Sequence, residues 1–300
     1  MIQEVQTVLE ADAAAKRHGE GMRRAWYYFS RNRLAVVGLV IVVMVVLAAL
    51  LAPWVTPYPR DAGPHVDIAN GMQPPSLQHP FGTDGSGRDL FTRVLFGLRF
   101  SLTMAVVVVG LSAPPGVIAG LLAAVFKDTW VDTVVMRLTD VFLALPPLIL
   151  AMAITAVLPP NVFYAMLAVT VMWWPWYTRL IYGLGSSLRN ELYVRAADLI
   201  GASKSHIMFR EMLPNMLSSL FTKITLDFGF VIIIAASLSF VGLGAQPPTP
   251  DLGTMVADGA QYLPDQWWVA IFPALAIVVV VLGFNLLGDG LKEVFSVEER

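Results

Sequence analysis

NELYVRAADLIGASKSHIMFREMLP, residues 190–214, is a polar interruption between two long apolar runs, and it carries helical signals of its own. Asn190 is placed to cap a short helix by accepting an orphan backbone N–H. Ala196 and Ala197 keep one face of that helix thin, so another surface can approach closely. Gly201 falls where such a helix would end, at the position that tolerates left-handed backbone. Ser203 is placed to cap a second helix. Pro214 suits the first turn of a third, where its missing N–H costs little. The stretch reads as helix, tight turn, helix, then re-entry into an apolar segment.

The chain around it is too apolar for a soluble domain of its size: 300 residues, 56% hydrophobic and 14% charged, with a mean hydropathy of +0.66. The excess is gathered into runs. Leu34 to Ala52 holds no charged or strongly polar side chain, enough to cross a bilayer core at about 1.5 Å per residue. The fold class is therefore all-α, a polytopic membrane protein with spans expected near 34–52, 99–126, 134–158, 162–182, 217–242 and 268–288. Pro114-Pro115 in the second span and Pro146-Pro147 in the third are expected helix breaks. Such breaks are tolerated where protein or a water-filled path lies alongside. Gly116 and Gly120 make a small-xxx-small face for close helix contact.

Lys and Arg set the orientation. With the N-terminus inside, sixteen of the twenty cations fall on the cytoplasmic side, and only Arg60, Arg88, Arg93 and Arg99 lie outside. Both termini and the 190–214 stretch are then cytoplasmic. Residues 1–33, with Trp26-Tyr27-Tyr28-Phe29 among six cations, suit a helix on the membrane surface against anionic lipid. The roughly thirty polar residues ahead of the first apolar run do not read as a cleavable signal.

Several chemistries are excluded. No phosphate-binding loop is present, so ATP hydrolysis by this chain is not expected; H-E-x-x-H, C-x-x-C and G-x-S-x-G are absent too. Without cysteine there is no disulfide or thiol chemistry. The four histidines fall in separate polar regions on both sides of the membrane, so no metal site is expected. The net charge of −2 names no partner and points to no nucleic acid. Trp173-Trp174-Pro175-Trp176-Tyr177 reads as an interfacial aromatic belt closing the fourth span rather than a substrate cage. Asp140, Asp227, Asn285 and Asp289 read as structural contacts or gate elements.

HPFGTDGSGRD (79–89), AASLSFVGLGAQPPTPDLG (235–253) and FPALAIVVVVLGFNLLGDGLK (272–292) together resemble the C-type permease of dipeptide/oligopeptide ABC importers, a group that includes nickel and glutathione systems. The resemblance covers roughly residues 25–296. It implies six membrane helices, the last five forming a type I importer core over residues 99–292, after a first helix (34–52) and an external loop (53–98), with 293–300 as a cytoplasmic tail. Within the core, 183–215 is similar to the "EAA" coupling loop that docks into a cleft on a separate ATPase. The positions so implied are Arg195, Ala196, Ala197, Gly201, Ala202, Ser203, His206, Leu213 and Pro214. Two residues depart from the pattern: Arg195 stands where Glu is usual and Glu211 where Ile is common. Glu191, one turn before Arg195, is in the favourable order for an ion pair worth about 0.2–0.5 kcal/mol, and Arg195 itself is expected to meet an acidic group on the ATPase.

Outside, the resemblance implies contact with a substrate-binding protein through Phe81, Gly82, Asp84, Arg88 and Asp89 in one loop and Gln246, Pro247 and Pro248 in another. The partners implied are a homologous second permease, two ATP-binding subunits or domains that hold ATP and Mg, and the external binding protein. All assemble at the inner or plasma membrane, with no cofactor in this chain. The competing reading is a secondary transporter or channel working alone. It calls for ionisable coupling residues deep in the spans or a visible inverted repeat.

Overall fold

Asp89 starts the longest α-helix among the described residues: its carboxylate accepts from the backbone of Thr92 at 2.8 Å, and 36 residues follow without interruption to Val125. The computed structural model describes residues 27, 29–159 and 161–298, with side chains to Val294. Among them, helices run over Arg33–Val55 (α1), Leu90–Val125 (α2), Trp130–Leu143 (α3), Pro147–Ala156 (α4), Val162–Leu188 (α5), Leu192–Leu199 (α6), Leu217–Phe240 (α7), Leu252–Ala260 (α8) and Trp268–Glu298 (α9). No strand forms among the described residues; Thr83 and Asp89 make one isolated bridge. The expected surface helix of residues 1–33 lies largely outside the described residues.

α1, α2, the rod Lys204–Phe240 and α9 are each long and apolar enough to cross a bilayer. The third expected span is a bent pair instead: α3 and α4 meet at 86°. Pro146 is extended there (φ −56, ψ 129) and Pro147 begins α4, so two rings that cannot donate sit where α3 would have continued. Pro114 and Pro115, by contrast, lie inside α2 without breaking it. They sit on its exposed side, while the opposite side is held against α5 by Gly116, Val117 and Gly120. The lost hydrogen bonds therefore fall on one face of a helix braced on the other.

α2 also starts nine residues before the expected 99. Arg93, expected in the 53–98 loop, lies in the first turn of α2, where it is buried and pairs with Asp84. At about 1.5 Å per residue, α2 is about 54 Å long, well beyond a hydrocarbon core of about 30 Å. Its first turns therefore project toward the loops at that end of the molecule. α5 likewise runs past the aromatic cluster. Trp173 and Tyr177 fall mid-helix and are buried, so half of the expected belt is core. The glycines of α2 let the α5 backbone come close, with Trp174 and Tyr177 beside Gly116 and Thr178 and Ile181 beside Gly120, and the Thr178 hydroxyl donates to the Gly116 carbonyl at 3.1 Å.

The main core joins α2, α5, α7 and the segment before α7 through Leu121, Tyr177, Ile181, Met212, Met216 and Ile232. α1 joins this core from its edge through Val45, Ala49 and Ala52, against α9 and α2, and turns Leu34, Val40, Met44 and Leu50 outward, as a lipid-facing helix does. Two carboxylates within the helices are paired, which lowers the cost of about 2.5–3.5 kcal/mol for an isolated charge at bilayer centre. Asp227, fully buried, takes Lys223, whose ammonium also lies 5.7 Å from the Trp176 ring centre. Asp140 pairs with Arg179.

Candidate functional site

α6 is short and apolar on two sides, and this decides how residues 190–214 sit. Val194 and Ala197, three apart, are buried against the body. Leu192, Ala196, Leu199 and Ile200 follow the i, i+4, i+7, i+8 spacing of a second stripe. Its large members are 83%, 87% and 85% exposed in that order. Among the described residues, no element covers them.

The helix ends as its glycine requires. Gly201 has φ +82; its N–H reaches the Asp198 carbonyl at 3.1 Å and the Ala202 N–H reaches Ala197 at 3.0 Å, the paired bonds of a Schellman stop. A side chain at position 201 would meet nothing within 4 Å, so the glycine is needed for its backbone alone. Ser203 then caps the next turn, its hydroxyl accepting from His206 N at 3.2 Å. That turn, Lys204–His206, widens into a π-helical stretch, Ile207–Met212, and tightens again at Leu213–Met216 around Pro214 before α7.

The two departures from the family pattern have local partners. His206 Nε2 lies 3.2 Å from Glu211 Oε1; they are five residues apart, the repeat of a π-turn, so Glu211 is held by His206. Arg195 donates from Nη2 to Asn190 Oδ1 at 3.1 Å. The expected pairing with Glu191 does not form, because Glu191 is the cap residue in extended backbone (φ −66, ψ 145) and its side chain does not project along the helix. Asn190 is thus a partner of Arg195 and not the cap. Of the other coupling positions, Ala196, Ser203 and Pro214 are exposed, and Ala202, His206 and Leu213 half-buried. Leu192, Leu199 and Ile200 were missed by the sequence reading although their spacing was visible there.

On the other side of the molecule, residues 79–93 form a knot around the start of α2. Asp84 accepts from the backbone of Ser86 and Arg88 at 2.8 and 3.0 Å and pairs with Arg88 Nε at 2.8 Å and Arg93 Nε at 3.4 Å. Asp89, besides capping α2, takes His79 Nδ1 at 3.0 Å and donates its N–H to Asp61 at 2.8 Å. Asp89 is fully buried and Gly82 and Asp84 nearly so; Phe81 and Arg88 are half-buried. Gly82, Asp84 and Asp89 hold the loop from inside, because a capping carboxylate and its partners face inward, while Phe81 and Arg88 keep part of their surface open. Gln246, Pro247 and Pro248 are exposed. Arg93 Nη1 approaches Pro248 O at 3.5 Å and links the two loops. The second loop also contains α8. Asp251 caps it through Thr254 N at 2.9 Å, while burial pushes the Asp251 carboxyl up from the usual range.

Comparison with known proteins gives these surfaces a setting. Residues 116–297, more than half of the chain, match the family described as binding-protein-dependent transport system inner membrane component, and residues 22–75 match the N-terminal TM domain of oligopeptide transport permease C. A probable D,D-dipeptide transport system permease protein, DdpC of Escherichia coli, is 41% identical over 92% of this chain and 91% of its own length. The dipeptide transport system permease protein DppC of Alkalihalophilus pseudofirmus is 38% identical over 90% and 88%, and the glutathione transport system permease protein GsiD of Escherichia coli is 41% identical over 89% and 88%. A chain of the MetNI methionine ABC transporter, solved in inward facing conformations, shares the fold at a TM-score of 0.55 with 20% identity, over 68% of this chain and 95% of that one. The long helix pair α2–α5, the capped turn at Gly201 and the apolar face left open on α6 are thus parts of an ABC importer permease, and the chain belongs to the family of binding-protein-dependent transport system inner membrane components.

Proposed function

We propose that this chain forms one half of the membrane path of an importer for short peptides, and that α6 seats a separate ATPase. The observation that carries the reading is the unpartnered stripe of Leu192, Leu199 and Ile200 beside a capped turn, in a chain that lacks a phosphate-binding loop. Burying each of these side chains is worth about 1.5–3 kcal/mol, enough to dock a partner that brings ATP and Mg. Both termini and α6 then face the cytoplasm, as the distribution of Lys and Arg requires. A homologous second permease completes the path, and an external binding protein delivers substrate to the side bearing Gln246, Pro247 and Pro248. Short peptides, including modified ones, are the class that the names of the three permease relatives share.

The test is to isolate the chain from its native membrane and assay it with and without the ATPases. ATPase subunits are expected to co-purify; the assembly hydrolyses ATP faster with loaded binding protein, and the stripped chain does not hydrolyse it. Uptake driven by an ion gradient in vesicles holding this chain alone would favour the solitary transporter and overturn the reading.

The turn at Gly201 provides a finer test. Valine there is strained by about 1–2 kcal/mol in left-handed backbone, with no clash to add. Gly201→Val is expected to re-aim the segment after α6, so that uptake falls several-fold relative to hydrolysis while membrane insertion is unchanged. Gly201→Asn, which tolerates this backbone, keeps most of the uptake. Equal uptake by Gly201→Val and the parent would show that the turn does not set the coupling.

A further inference from the structure

Beside α6, on the flank away from its open apolar stripe, lies a cavity of about 400 Å³ whose charged lining is Lys127, Asp128, Arg189, Arg195, Asp198 and Lys204, over an apolar floor. Four cations against two carboxylates leave that lining at +2. The cations come from four segments: the turn between α2 and α3, the end of α5, α6 itself and the turn after Gly201. Their partners are uneven. Lys204 pairs with Asp198 at 2.5 Å. Arg189 reaches only the Lys127 carbonyl, at 3.4 Å, and Arg195 only the neutral Asn190. Among the described residues, Lys127, Arg189 and Arg195 have no carboxylate partner. The turn that carries Lys127 is held in place, since Asp128 adopts φ 67 and its N–H donates to Asp132 Oδ2 at 3.0 Å.

We propose that this cavity binds a phosphate group, and that the bound phosphate braces α6 against the ends of α2 and α5. Three unpaired cations converging on one space repel each other until an anion enters. Two of them are guanidinium groups, whose planar fork of donors matches phosphate oxygens. A phosphate monoester carries about −1.5 to −2 and a phosphodiester headgroup a single negative charge, so the first neutralises the lining charge and the second offsets part of it. The cavity is larger than a phosphate alone and its floor is apolar, so an organic portion fits beside the charged head. That chemistry has two sources: an anionic phospholipid headgroup entering from the bilayer at the helix ends, and a soluble phosphate ester.

The experiment uses the full chain without ATPase subunits, so that no other phosphate site is present. It is reconstituted in nanodiscs of phosphatidylcholine alone and titrated with inorganic phosphate and glycerol phosphate against a chloride control of equal ionic strength. In parallel it is reconstituted in equal parts phosphatidylcholine and phosphatidylglycerol, extracted, and its retained lipid identified by mass spectrometry. Saturable binding in the first arm assigns a soluble phosphate; selective retention of phosphatidylglycerol in the second, without binding in the first, assigns a lipid headgroup. Lys127→Gln and Arg189→Gln are each expected to weaken the observed binding by about tenfold, with Arg189→Lys intermediate because charge remains and the fork is lost. Unchanged thermal unfolding of Arg189→Lys shows that the comparison reads binding and not folding. Absence of both kinds of binding, or equal binding by parent, Arg189→Lys and Arg189→Gln, overturns the proposal.

Discussion

Gly116→Val is expected to keep the permease body from closing. A Cβ at that position would lie 2.5 Å from the Trp174 carbonyl oxygen and 2.7 Å from the Tyr177 Cβ. Neither neighbour is the free end of a flexible chain; both belong to the rigid backbone of α5 and its first side-chain atoms. The helices must therefore separate. Separation also breaks the bond from Thr178 to the Gly116 carbonyl and loosens Tyr177, which lies against this crossing. Overpacking of a tight core costs typically about 1–3 kcal/mol and sometimes more, and this site belongs at the upper end because the clash is with main chain. Unfolding in mixed micelles should show a loss of about 3 kcal/mol and a sharp fall in yield, with Gly116→Ala intermediate. Parental stability in Gly116→Val would mean that α2 and α5 do not cross as described.

The second large effect concerns association. Leu199 and Ile200 are 87% and 85% exposed, so changing both to aspartate removes almost nothing from the fold. If α6 seats the ATPase, the same change deletes two apolar anchors and places two charges in a contact that must desolvate. Loss of two anchors at about 1.5 kcal/mol or more each lowers affinity by about a hundredfold or more. The doubly substituted chain should insert and melt like the parent, yet bring down little ATPase and import no substrate. Normal recovery of the ATPase would move the docking surface elsewhere. Gly116→Val and Leu199→Asp/Ile200→Asp thus separate assembly of the body from attachment of its motor.

Much of this was legible in the residues. Leu34 to Ala52 could only be a membrane helix, since every side chain there is apolar and the length fits a bilayer. Gly201 announced a left-handed stop and Ser203 a cap, because both act through backbone groups a few residues away. The resemblance at 79–89, 235–253 and 272–292 indicated the family before any fold was in view. What could not be read was which groups satisfy each other across the chain. Arg93 looked like a solvated charge, and only folding brings Asp84 and the Pro248 carbonyl to it. The aromatic cluster looked like a helix end, because Trp, Pro and Tyr dilute hydropathy; packing against Gly116 and Gly120 makes it the middle of α5.

The sequence by itself determined the local and the additive: which runs are apolar enough to leave water, where a helix must stop, and on which side the positive charge accumulates. These depend on short stretches of chain or on sums over it. Only the tertiary structure decided what is buried at both ends of the molecule. It placed Asp89 inside a knot, continued α2 through Pro114-Pro115 while bending the chain at Pro146-Pro147, and, among the described residues, left one stripe of α6 bare while covering the other. The physical reason is common to all of them. A capping carboxylate, a proline or an apolar stripe has two or more acceptable settings in isolation, and the choice falls to whichever neighbour, distant in sequence, supplies the missing contact.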